Sequence, residues 1–266
     1  LRNKLMAVSR PYLGTSAFNE TGQRQMSLAR QVLRLTPKPG ALSEMVGRSR
    51  EITFTYGADH NFNPDYVINQ LRSIGSTPAR VEIVGDLVAY STGVPCLSFP
   101  GDLPNEYVHL RINGVTIYGR GGDGGTAGSR EGKQGGHCIF NGIGGRLRIE
   151  NNGAICGGGG GGGGARVGSN LVSGGSGGRP FGAAGLGEGR DKKDGYAASL
   201  GEPGPLPPKT RYNSQGGAGG QVGQPGMNGT AEGNSSNGYT GGAAGHAVYG
   251  SSPQWLATGA IYGPWI

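Results

Sequence analysis

A chain of 266 residues with 58 glycines cannot be an ordinary oil-drop globule throughout, and no stretch approaches the ~20 apolar residues of a membrane-spanning helix. The formal charge of +7 suits an acidic partner, such as a lipopolysaccharide or an acidic protein face, or serves solubility alone. It argues against nucleic-acid binding, because no Lys/Arg run interleaved with aromatics and no nucleic-acid motif accompanies it. The amino terminus lacks the apolar region of a signal peptide, so folding in a cytoplasm is expected even for a protein that works outside one.

In chain order, GQRQMSLARQVLRL (22–35) predicts a helix with Met26, Ala29, Val32 and Leu33 on its apolar stripe. REITFTYG (50–57) reads as a strand by its β-branched content. NFNPDYVINQLRSIG (61–75) carries a full set of helix signals: Asn63 as N-cap, Pro64 at the first helical position, Asp65 in the first turn and Gly75 past the end. Tyr66, Val67, Leu71 and Ile74 form its expected apolar face. RVEIVGDLVAY (80–90) and EYVHLRINGVTIYG (106–119) add further strands, which makes residues 6–118 a small mixed α/β domain.

Composition then changes. Ten glycines fall in residues 1–118 and forty-eight in residues 119–266, which sets the expected boundary of a second domain, 119–266. From Gly157 to His246 the only Ile, Leu, Val or Phe residues are Val167, Leu171, Val172, Phe181, Leu186, Leu200, Leu206 and Val222, too few for a conventional core. A phrase recurs as TIYG (116–119), AICG (154–157), AVYG (247–250) and AIYG (260–263), and HLRINGV precedes the first as RLRIENNGA precedes the second. Such echoes predict a stacked, solenoid-like body.

Glycine also has a period of three, at Gly119, Gly122, Gly125 and Gly128 and again at Gly217, Gly220, Gly223, Gly226 and Gly229. Three residues per turn is the period of the extended polyproline-II-type helix, whose N–H and C=O groups must find partners on neighbouring chains. The octaglycine 157–164, with Gly157, Gly160 and Gly163 at that spacing, fits as one rod of a bundle. Two other readings stand beside this one: a collagen frame, which breaks after about five triplets, and a disordered Gly/Ser tether.

Chemically diverse segments separate the glycine runs: TAGSREGKQG with Arg130 and Lys133, ARVGSNLVS with Leu171, and NGTAEGNSSNGY with Asn234 and Tyr239. The longest, 187–215, holds Arg190, Lys192, Lys193, Tyr196, Leu206, Lys209, Arg211 and Tyr212. Loops on a stiff frame are where recognition residues concentrate, and a mixture of cations with Tyr suits a protein-binding surface. Plain solvated linkers are the alternative.

No catalytic pattern competes with this. His60, His109, His137 and His246 are scattered, the octaglycine lacks the Lys-Ser/Thr of a phosphate loop, and no G-x-S-x-G occurs. Asp191, Asp194 and Glu202 lie in a Gly/Pro-rich loop ill-suited to a fixed acid/base pair. Cys96, Cys138 and Cys156 have no C-x-x-C spacing and read as buried free thiols rather than disulfide or zinc ligands. No enzyme, cofactor or metal is expected.

GTSAFNETGQR, GRSREITFTYGADHNFNP, NGIGGRLRIENNGAICGGGGGGGG, GGRPFGAAG and the carboxy-terminal AIYG together resemble the long-tail-fibre tip adhesins of T-even-type bacteriophages, over residues 6 to 266. The resemblance implies an amino-terminal domain (6–118) that caps a trimeric long tail fibre protein, and a carboxy-terminal sandwich of polyglycine II helices with Gly157, Gly160, Gly163, Gly217, Gly220, Gly223 and Gly226 among its packed glycines. It also implies variable loops that bind an outer-membrane, porin-like protein of an enterobacterial host, and a place at the distal fibre tip of the virion. A fibre-assembly chaperone and an ice-binding glycine-helix protein are the alternative readings.

Overall fold

The computed structural model describes residues 7–8, 13–35, 42–233 and 236–266. Two short helices, α1 (Leu13–Thr21) and α2 (Met26–Val32), pack with Val8 and Met45 into a small core of their own. Ala29 and Leu33 are buried there as expected, but Met26 is 44% exposed. The module is too small to cover the first turn of α2, and it buries Arg30 instead, paired with Glu44 at 2.7 Å.

The chain then winds into stacked coils. The first holds β1 (Ile52–Tyr56), β2 (Asp59–Phe62) and α3 (Asp65–Ser73). The second holds β3 (Ala79–Ile83), β4 (Leu87–Ala89) and β5 (Leu97–Phe99), and the third β6 (Val108–Ile112), β7 (Thr116–Tyr118) and β8 (Ile139–Asn141). The fourth begins with β9 (Leu147–Asn151) and β10 (Ala154–Cys156). After β11 (Ala165–Val167), β12 (Asn170–Ser173) and β13 (Ser236–Gly238), it closes with β14 (Val248–Gly250). A last coil adds β15 (Gln254–Ala257) and β16 (Ala260–Tyr262).

Neighbouring coils pair in parallel, giving three faces ordered β1-β3-β6-β9-β15, β16-β10-β7-β4-β2 and β14-β8-β5. Alternation puts every second side chain inward, so aliphatic residues stack in register: Val81, Leu110 and Ile149 on the first face, Ile117 and Ile155 on the second, Leu97, Ile139 and Val248 on the third. All eight are fully buried, each contributing about 1.5–3 kcal/mol. The hydrogen-bonded sheets run straight across the compositional step at 118/119, since β9, β10, β15 and β16 extend the faces begun by β1 and β2.

Helix α3 replaces the third strand of the first coil. The amide of Asp65 donates to Asn63 Oδ1 at 3.0 Å, and Gly75 ends the turn with φ +59°. Val67, Ile68 and Leu71 face the core, whereas Tyr66 is 61% exposed, because it lies about 200° around the helix from Ile68. The echoes TIYG, AICG and AIYG stack on one another, Ile117 beside Ile155 beside Ile261. The fourth, AVYG, does not join them: Val248 pairs with Ile139 on another face, so its likeness is that of any strand entering a glycine.

The glycine segments are insertions between the second and third faces, 119–138 in the third coil and 157–247 in the fourth. They extend away from the coils as backbone rods. The octaglycine lies inside them, every residue buried and every amide bonded. Gly158, Gly161 and Gly164 donate to Gly136, Lys133 and Arg130; Gly159 and Gly162 donate to Arg179 and Ser176; Gly160 and Gly163 donate to Gln224 and Met227. Its carbonyls accept from Gly122 and Gly125, from Gly217, Gly220 and Gly223, and from Tyr239, Gly242 and Gly245. Residues i and i+3 therefore address the same neighbour, and six segments surround one. Bonds at about 1 kcal/mol net each offset the roughly 0.5–1 kcal/mol that each ordered glycine costs relative to alanine.

The period from Gly217 to Gly229 is not one rod. Gly223 has φ +68° in a turn where Gln224 N bonds Gln221 O at 2.9 Å, so residues on either side run antiparallel. Gly128 lies off the rods, in the turn closed by the Thr126 and Ser129 bridge, with nothing near its Cβ position.

Candidate functional site

Two sets of residues carry the candidate site: glycines that let the rods close up, and side chains at the rods' far end. A Cβ on Gly157, Gly160 or Gly163 would come within 1.9, 1.9 and 2.0 Å of the carbonyl oxygens of Gly245, Gly242 and Tyr239. On Gly217, Gly220 and Gly226 it would come within 1.9, 2.3 and 2.0 Å of those of Met227, Gln224 and Gly161. Gly223 faces the backbone of Gly263 at 2.3 Å.

The far end is finished by an antiparallel sheet, β12-β11-β13, whose hairpin turns at Gly168 with φ +60°. Around it stand the loops. Residues 207–215 form a closed hairpin: Thr210 Oγ1 accepts from the amides of Tyr212 and Ser214, and Gln215 Nε2 donates to Pro207 O at 2.6 Å. Its tip carries Arg211 and Tyr212, which are hydrogen-bonded to each other, with Arg211 also 2.9 Å from Asp191. Tyr212 is left 41% exposed.

Loop 187–194 is tied shut where the amide of Gly187 donates to Asp194 Oδ1 at 2.9 Å. Arg190 and Lys192 are exposed on it, Lys192 lying 3.6 Å from Asp194, and Lys193 is joined to β12 through its backbone. Lys209 donates to Asn213 Oδ1 at 2.8 Å. Arg130 donates to the hydroxyl of Tyr239 at 3.0 Å and lies over its ring, so these two brace the end as well as facing out from it. Asn234 lies outside the described residues.

Four residues from the loop segments are elsewhere. Leu171 is fully buried, its side chain against Gly164, and acts as a plug beneath the far end rather than a contact. Tyr196 and Leu206 lie halfway along the rods: the amide of Tyr196 donates to Ser176 Oγ at 2.9 Å, which donates in turn to Pro205 O at 2.6 Å. Lys133 is also on the flank, paired with Asp123 at 2.9 Å. Burial favours the protonated form of Asp123, but the Ala183 amide and Lys133 outweigh it and hold the carboxyl below its usual value.

Leu186 and Met227 are 55% and 56% exposed, and neither was expected among the binding residues from the sequence. Their signal was a single large apolar side chain set among glycines whose backbones already close the rod. The three thiols are buried and free, burial pushing Cys156 up to about 12, so none is poised as a nucleophile. Among the described residues no group of three His, Cys, Asp or Glu is placed to hold a metal.

Comparison with known proteins fits this arrangement. The family model described as phage tail fibre adhesin Gp38 matches residues 51–266, and that of the Gp38 N-terminal domain matches residues 6–46. The receptor-recognizing protein gp38 of Salmonella phage S16 is 48% identical over 265 residues, 98% of this chain and 100% of that protein. The crystal structure of the gp37-gp38 adhesin tip complex of the S16 long tail fibre contains a chain with a TM-score of 0.77 and 44% identity, over 98% of this chain and all of that one. The mixed, strand-dominated fold and the matches along its length make this chain a member of the Gp38 family of phage tail fibre adhesins.

Proposed function

We propose that the chain is the tip adhesin of a phage long tail fibre, carried in the virion at the fibre's distal end. In this reading the amino-terminal half, 6–118, caps a trimeric fibre protein, and the glycine rods are polyglycine II helices packed as a rigid sandwich. The loops at their far end bind a porin-like outer-membrane protein of a Gram-negative enterobacterial host, with lipopolysaccharide as a further acidic partner. The role is binding, without catalysis.

The observation that carries this reading is the closed hairpin 207–215, which holds Arg211 and Tyr212 outward at the end of a backbone-bonded frame. Fixed aromatic and guanidinium side chains are the usual anchors of protein recognition, and a rigid loop loses little entropy on binding. The threefold cycling of hydrogen bonds from the octaglycine to its neighbours supports the polyglycine II reading. The test is adsorption of purified virions to a panel of bacteria lacking single outer-membrane proteins. One deletion should abolish adsorption; adsorption intact across every deletion, but lost on strains with truncated lipopolysaccharide, would replace the protein receptor by a saccharide.

A further inference from the structure

The outer side of the first face carries two columns of side chains. In one, Glu82, Arg111 and Glu150 alternate in sign down successive strands, with Arg111 3.7 Å from Glu82 and 3.2 Å from Glu150. In the other, Arg80, His109 and Arg148 follow one another with no acid between them. Arg80 and Arg148 flank His109 in this column, which offers their guanidiniums no carboxylate of its own, so their counter-charges must come from other columns or elements. Arg80 has Glu51 at 2.9 Å and His109 has Glu150 at 3.1 Å.

Arg148 has no carboxylate within ion-pair distance among the described residues. Its Nε is buried without a hydrogen-bond partner, and its guanidinium lies 3.8 Å from the centre of the Tyr107 ring. Arg34 comes over the same ring at 4.7 Å from the turn after α2. Its left-handed backbone, φ +57°, is the ending of α2, with the Leu35 amide donating to Arg30 O at 2.8 Å and the Arg34 amide to Gln31 O at 2.9 Å, so the helix end fixes where this side chain starts. Between the helices and the sheet these groups line a pocket of about 350 Å³, in which three arginines face the single carboxylate of Glu51. The pocket lies on the one face of the coils that borders no glycine insertion, beside the amino-terminal helices.

We propose that this pocket receives a carboxylate of the fibre subunit that the chain caps, gripped by Arg148 and Arg34; this rests on the fibre-attachment reading above. A guanidinium's planar fork matches a carboxylate with two parallel hydrogen bonds, and the excess of cations in the pocket is what such a group would neutralise. A protein carboxylate suits the place better than a lipopolysaccharide phosphate, because the receptor-facing loops are at the far end of the rods.

The test measures affinity of the full-length chain for purified fibre tips at low and high salt, for wild type, Arg148→Gln and Arg34→Gln, with thermal midpoints recorded for each. Each variant should bind roughly tenfold or more weakly at low salt with an unchanged midpoint, and the gap should narrow as salt rises. Should Arg148→Gln fail to fold, Arg34→Gln, on an exposed turn, decides alone. In an Arg148→Lys variant, carbodiimide should link position 148 to an Asp, Glu or terminal carboxylate of the fibre subunit. Failure of the wild type to bind fibre would sink the attachment reading itself. Equal binding by all three proteins would overturn only this inference, as would competition by inorganic phosphate at the pocket with no change in fibre affinity.

Discussion

Gly160 faces the carbonyl oxygen of Gly242 so closely that a Cβ there would stand 1.9 Å from it, while the amide of Gly160 itself donates to Gln224 O at 3.0 Å. Neither contact can give without moving a neighbouring rod. We expect Gly160→Val to abolish folding and Gly160→Ala to cost more than the roughly 1–3 kcal/mol of ordinary overpacking. Gly128→Ala, with nothing within 4 Å, should leave the thermal midpoint unchanged. Circular dichroism melts of the three variants decide it, and a stable Gly160→Val protein would mean that the rods are not packed as described.

Tyr212 and Tyr196 should behave differently. Tyr212→Ala removes an anchor from the far end and should weaken adsorption by about 1–2 kcal/mol, roughly 5- to 30-fold, with no loss of stability. Tyr196 is 46% exposed but halfway down the flank, so Tyr196→Ala should matter only if the receptor wraps the rods. Adsorption rates for each single variant and for the pair separate an end-on contact from a flanking one, and independent sites should give additive losses.

Leu171→Ala provides the contrast. A fully buried leucine beneath the far end should cost about 2–5 kcal/mol of stability, seen as a lowered thermal midpoint. At temperatures where the variant remains folded, adsorption should be close to wild type. A variant that is stable but fails to adsorb would return Leu171 to the binding surface.

Asp123 predicts an acid limb of stability. Its carboxyl is lower in the folded chain than in the unfolded one, so its contribution is complete above the unfolded value of about 3.9 and is lost as pH falls through the folded value. Asp123→Asn keeps an oxygen for the Ala183 amide but loses the charge that pairs with Lys133. Its thermal midpoint should therefore fall less steeply than that of the wild type between about pH 5 and pH 2. Parallel curves for the two proteins would show that the ion pair is too screened to contribute.

How much of this could be read from the residues alone depended on whether the signal was local. Helix α3 was legible because Asn63, Pro64, Asp65 and Gly75 each act within one turn of the chain. The stacking of TIYG, AICG and AIYG was legible because equivalent rungs of a solenoid reuse the same inward side chain. The turn at Gly223 was not, because it keeps the three-residue spacing while reversing the chain, and a period carries no direction. Continuity of the sheets across residues 118 and 119 was hidden for a similar reason: β10 and β14 belong to one coil but are separated by residues 157–247. Leu171 and Leu206 looked alike in loops of similar composition, and only the packing against Gly164 buries the first.

The octaglycine joins β10 directly to β11, so it runs from the coils to the β12-β11-β13 sheet, and under the proposed attachment a tethered particle would tug along that line. Its hydrogen bonds lie across that line, and a pull between the two ends loads them in shear, all at once, rather than peeling them one by one. Force is shared among six flanking segments through contacts that require no particular side chain. Single-molecule pulling should therefore meet one abrupt, high-force rupture of the rods, with the loops extending only after it. Gradual lengthening at low force would mean that load bypasses the central rod.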